Sequence, residues 1–133
     1  MAIKTIGFGP SLQVHWGSDI ERLEWDSGVL SIVVAREIAN NDEIHGFDIR
    51  FSGVSGLRFL DELDLARYWS SDGFVRGHHV LEVLDDGWAS EEIALQGYEQ
   101  ARREWLVVTG NGCASVFAAA PPEIAETSWC VAK

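Results

Sequence analysis

The stretch Arg103-Glu104-Trp105-Leu106-Val107-Val108-Thr109-Gly110-Asn111-Gly112-Cys113-Ala114-Ser115-Val116-Phe117-Ala118 decides the fold. It reads as two apolar strands joined by a Gly-Asn-Gly turn, because Asn and Gly tolerate the positive φ that tight hairpins use. Across 104–109, Trp105 and Val107 fall on one face and Leu106 and Val108 on the other. A strand that is apolar on both faces belongs inside a structure, covered on each side. Cys113 then opens the second strand as a small buried hydrophobe. Ala120-Pro121-Pro122-Glu123 ends the hairpin, since proline cannot donate to a ladder.

The same signals recur upstream. Leu12, Val14 and Trp16 alternate with Gln13 and His15, which predicts a one-sided strand. Residues 22–25 and 29–35 flank Asp26-Ser27-Gly28, read as a three-residue hairpin loop, and 29–35 is again apolar on both faces. Phe47, Ile49 and Phe51 alternate with Asp48, Arg50 and Ser52, the clearest half-buried strand in the chain. Gly53-Val54-Ser55-Gly56 turns the chain into a strand over 57–60, and a strand over 78–84 closes at Asp85-Asp86-Gly87.

Helical signals are fewer. Asp61 is placed to cap a short helix running to Tyr68 or Trp69, with Asp64 in its first turn and Ser70-Ser71-Asp72-Gly73 as its stop. Ser90 is placed to cap a helix over 90–103 that has early glutamates and late arginines, with a long strand-loop excursion as the alternative for this stretch. Gly97 weakens that helix by about 1 kcal/mol relative to Ala. Roughly eight short strands about ten residues apart predict a mainly β fold. The expectation is a strongly bent antiparallel sheet forming a small, partly open, Sm-like barrel or a sandwich, with one or two short helices.

The chain has 133 residues, which predicts a single domain over 1–133. Its net charge is −11, from 21 acidic against 10 basic residues spread over both halves, so the field belongs to the folded body. Such a field repels nucleic acid and anionic lipid and favours basic partners. Trp16, Trp25, Trp69, Trp88, Trp105 and Trp129 are dispersed, which predicts core packing rather than a stacking platform. No apolar run is long enough for a membrane span, and the N-terminal residues show no leader pattern. Cys113 and Cys130 fit no C-x-x-C pattern, so a cytoplasmic protein with reduced thiols is expected.

The second half resembles a set of small, uncharacterised bacterial proteins. The matching residues are Gly87-Trp88, Arg103-Glu104-Trp105-Leu106-Val107-Val108, Gly110, Cys113, Ser115-Val116 and Pro121-Pro122-Glu123-Ile124. The Phe47/Ile49/Phe51 strand, Leu60-Asp61-Glu62 and Leu65 also fit, so the resemblance covers residues 46–124. Some such proteins look like immunity-type proteins encoded near toxins and others like Sm-like barrels. The resemblance therefore implies a scaffold more than a reaction.

No constellation selects a reaction or a cofactor. Gly53-Val54-Ser55-Gly56-Leu57 misses the G-x-S-x-G elbow by one glycine and precedes a strand. His78-His79 with Glu82, Asp85 and Asp86 is the densest set of metal-capable groups. Adjacent histidines on a strand diverge, however, and His78 and Glu82 would lie about 13 Å apart. His78 and His79 stand only as an alternative metal pair. The leading expectation is a non-enzymatic, possible immunity-type interaction protein docking a basic protein through Asp85, Asp86 and Trp88. The alternatives are a small hydrolase or ligand-binding barrel using a histidine and a carboxylate, and a self-associating homodimer pairing β edges.

Overall fold

Two antiparallel sheets and the helix of 88–96 dominate the described part of the computed structural model, residues 3–38, 42–61, 66, 68, 70–98 and 102–130. The strands are β1 (Lys4–Phe8), β2 (Asp19–Asp26), β3 (Val29–Ile38), β4 (Glu43–Ser52), β5 (Val54–Asp61) and β6 (Val80–Asp85). The helix α1 (Trp88–Gln96) follows, then β7 (Glu104–Val108), β8 (Gly112–Ala118) and β9 (Glu123–Cys130). The five-stranded sheet has the order β1-β6-β7-β8-β5, and the four-stranded sheet the order β2-β3-β4-β9. The fold is mainly β, as the alternation predicts.

The β7–β8 hairpin sits at the centre of its sheet, and every residue of both strands is buried. Trp105 and Val107 join Leu30, Ile32, Phe47, Ile49 and Phe51 of the other sheet in one core cluster. On the opposite face Leu106 and Val108 meet Ile3, Leu60, Tyr68, Phe74 and Leu81 in a second cluster. That double coverage is why both faces of the strand are apolar. The indole N–H of Trp105 donates to the Ala118 carbonyl at 3.0 Å, and Phe8 approaches the ring edge-on at 5.4 Å.

The turn of this hairpin works differently from its expected form. Neither Gly110 nor Asn111 nor Gly112 has positive φ. Thr109 closes the turn instead, its hydroxyl donating to the Gly112 carbonyl and accepting the Gly112 N–H. Gly110 is required for space: a Cβ there would stand 2.2 Å from the Trp16 carbonyl oxygen. The 15–18 segment docks on the turn, with Gly110 N–H donating to the Ser18 hydroxyl and the Asn111 amide to the Ser18 carbonyl.

Other expectations change in detail. The β2–β3 connection is a two-residue turn, with Asp26 paired to Val29 and both Ser27 (φ 52°) and Gly28 (φ 81°) left-handed. β3 buries Leu30, Ile32 and Val34 completely, but its other face is only partly covered and Val29 stays 44% exposed. That face is the outside of the four-stranded sheet, with no layer over it among the described residues. Residues 12–16 form no strand, because the Leu12 N–H bonds the Gly77 carbonyl and no neighbouring strand pairs with them. β5 begins at Val54, directly after Gly53 (φ 64°), which alone carries the chain from one sheet into the other.

β1 and β9 carry too little alternation to be anticipated, and each lies at a sheet edge. The helix expected from Asp61 to Tyr68 or Trp69 falls largely outside the described residues. α1 starts earlier and ends sooner than the 90–103 helix expected, and Gly97 (φ 80°) is its C-cap rather than a mid-helix defect. Of the described tryptophans Trp105 is fully buried, Trp88 and Trp129 are half-buried, Trp25 is 47% exposed and Trp16 90% exposed. Dispersal along the chain therefore does not mean burial in the core.

Candidate functional site

Asp85 ends β6 as an exposed residue opposite Lys4, and its carboxylate accepts the Asp86 N–H at 3.0 Å. Trp88 is committed to holding α1. Its ring stacks on Phe117 at 4.1 Å, the Arg58 guanidinium lies 5.1 Å from its centroid, and its indole N–H donates to Glu92. Arg58 in turn pairs with Glu91 at 2.6 Å. The structure brings Asp85 and Asp86 together in one turn but leaves the Trp88 ring little free surface for a partner.

The start of α1 is capped from a distant strand. The helix has no side-chain cap of its own, and the Glu104 carboxylate accepts the Trp88 and Ala89 N–H groups at 2.9 and 2.8 Å. Two orphan donors are thereby satisfied by a negative charge at the positive helix end. Gly87 permits the approach, since a Cβ there would lie 2.6 Å from Glu104 Oε2. Gly87-Trp88 and Glu104, two pieces of the resemblance, are thus one structural device.

Burial holds the Glu104 carboxyl above the ordinary glutamate range, while the two helix N–H groups draw it back down. A raised native value means the folded chain binds this proton more tightly than the unfolded chain does. The Glu104 contribution to stability therefore falls as pH rises from the ordinary glutamate range through the raised value, and is flat above it. Urea unfolding between about pH 4 and pH 7.5 should show that component of slope in the wild type and lose it in Glu104→Gln.

The histidines diverge. His79 is 4% exposed and its Nδ1–H donates to the Val108 carbonyl at 2.7 Å, leaving Nε2 buried with no partner. Burial lowers its pKa, so the ring is neutral at pH 7. The His78 ring lies over Gly7, where a Cβ would stand 2.4 Å from it. Glu82 is engaged by Arg103 at 2.9 Å. Among the described residues no three His, Cys, Asp or Glu side chains are grouped to hold a metal ion.

His45 shows a geometry that sequence spacing does not single out. Its Nε2 lies 2.9 Å from Glu43 Oε1, and Ser128 of β9 is its cross-strand partner. The three line a cleft of about 650 Å³ together with Leu12, Arg36, Glu37 and Phe47. His45 and Glu43 are each nearly half exposed.

Charge pairing is one-sided. Arg22, Arg36, Arg50, Arg58 and Arg103 each sit in an ion pair. Asp19, Glu21, Asp26, Asp85, Asp86, Glu123 and Glu126 have no cationic partner among the described residues. Three of these, Asp19, Glu21 and Asp26, lie on β2. Asp19 and Glu21 line a groove of about 470 Å³ with Trp16, Ile38 and Ile44, and Ile38 is 70% exposed. The available signal for Trp16 was its position between Gly9-Pro10 and Gly17-Ser18, which marks a loop rather than a strand.

Among the described residues no helix is long and apolar enough to cross a membrane. No family model, no curated protein and no solved structure matches the chain.

Proposed function

We propose that this chain is a non-enzymatic interaction domain whose acidic surface docks a basic protein. The observation that carries this reading is the pair Asp19 and Glu21, without a cationic partner among the described residues, lining one groove with the exposed Trp16 and Ile38. An unpaired acidic rim around exposed apolar groups suits rapid, steered capture of a cationic partner followed by burial of an aromatic anchor. An immunity-type inhibitor of a basic toxin is the form of this role that the charge fits best. Trp16, Asp19 and Glu21 supply the anchor and rim, while Asp85 and Asp86 add to the field from their own turn.

In the same reading the two sheets stack as an open sandwich bent at Gly53. Support comes from the core cluster drawn from both sheets and from the fact that, among the described residues, no strand pairs into both. Both cysteines are free thiols, which suits a reducing, cytoplasmic setting.

The test is affinity capture followed by a salt titration of the captured partner. The expected partner is basic, and its affinity weakens progressively between about 50 and 500 mM salt. Trp16→Ala should weaken binding by about 1–2 kcal/mol and leave unfolding unchanged, because the ring is exposed. A neutral or acidic partner, or an affinity indifferent to salt, overturns the reading.

The Glu43–His45–Ser128 arrangement favours a second reading, a ligand-binding or hydrolytic cleft. Its signature would be ester hydrolysis by the purified chain that disappears in His45→Ala.

A further inference from the structure

We propose that β2 accepts an added strand, an extended segment of the basic partner in which basic and apolar residues alternate. This rests on the acidic docking role and specifies how contact is made. β2 ends the four-stranded sheet and pairs with β3 on one side only. The two-residue turn makes Asp26 and Val29 the closing hydrogen-bonded pair. Alternation from that pair turns the N–H and C=O groups of Glu24 and Arg22 toward β3 and those of Trp25 and Leu23 outward. The outward groups are a template for β-augmentation.

The side chains along this edge are sorted for one kind of strand. Arg22, Glu24 and Asp26 lie on the outer face, opposite Val33, Ser31 and Val29. Leu23 and Trp25 lie on the inner face, opposite Ile32 and Leu30, and Trp25 is 47% exposed. An incoming strand would set lysine or arginine beside Glu24 and Asp26, and apolar residues beside Leu23 and Trp25. The stretch available is 22–26, because a bulge lies between Ile20 and Arg22 and the Asp19 carboxylate already accepts the Ile20 N–H. A second antiparallel copy of β2 over 22–26 would set Glu24 against Glu24 and Arg22 against Asp26, whereas a basic strand meets both acids with cations.

The probe is a short capped peptide of alternating lysine and valine, followed by amide hydrogen exchange on the full chain. Strand addition slows exchange at Leu23 and Trp25 about tenfold or more, with little change at Glu24, whose N–H already faces β3. Glu24→Lys combined with Asp26→Lys weakens the peptide about tenfold or more, both positions being exposed. A peptide N-methylated at alternate residues, with the same charge, no longer binds. If the methylated peptide binds equally and the Leu23 and Trp25 amides are unaffected, strand addition is overturned. Salt-sensitive binding would then still uphold acidic docking. If neither peptide binds in a salt-dependent way, both readings fall.

Discussion

Trp105→Ala is expected to destabilise the chain by about 3–5 kcal/mol and to lower Tm by roughly 10–20 °C. Trp105 is fully buried and stands where both sheets meet, touching Phe8 edge-on and Phe51 at 6.3 Å. Truncation removes the apolar area of the ring and leaves a cavity whose walls are strands fixed in their ladders, with little freedom to collapse. It also strips the Ala118 carbonyl of its indole donor and the Arg103 guanidinium of the ring 4.9 Å beneath it. A domain of this size has a total stability of about 5–15 kcal/mol, so the variant retains little margin. Trp105→Phe keeps most of the volume and should lose about half as much. Urea unfolding followed by circular dichroism measures both, and equal losses for Ala and Phe would contradict the packing account.

Gly46→Ala should be nearly as damaging, with a loss of about 3 kcal/mol or more. Gly46 pairs with Ala35 next to the bulge between Ala35 and Glu37, and a Cβ at Gly46 would stand 1.8 Å from the Val34 carbonyl oxygen. Its φ is not left-handed, so the requirement is space between two backbones rather than conformational freedom. The obstructing atom belongs to the central β3 strand and can move only by breaking the ladder. Gly17→Ala is the matched control, because nothing lies within 4 Å of its Cβ position. That change should stay within about 0.5 kcal/mol of the wild type. A near-neutral Gly46→Ala would show that the β3–β4 ladder yields far more easily than its register implies.

The hairpins and the acidic charge were legible from the sequence, while the groove lined by Trp16, Asp19 and Ile38 was not. Alternation at Phe47, Ile49 and Phe51 and the double apolar face around Trp105 reported the surfaces those strands bury. Trp16 looked like part of a strand because its neighbours alternate, yet no strand lies beside it and its ring faces solvent. Ser90 looked like a cap, but Glu104, fourteen residues beyond it, does that work. His45 and Ser128 carry no spacing that links them; only the β4–β9 register makes them neighbours.

By itself the sequence determined that strands dominate, where most turns fall, and that the net charge is strongly negative. Those properties follow from side-chain period, local backbone preference and summed charge, each read without knowing what lies nearby in space. Tertiary structure alone decided which glycines are needed for close approach, which tryptophan fills the core, and which carboxylates lack a cation. These depend on contacts between residues far apart in the chain, and such contacts exist only after the sheets have paired and packed.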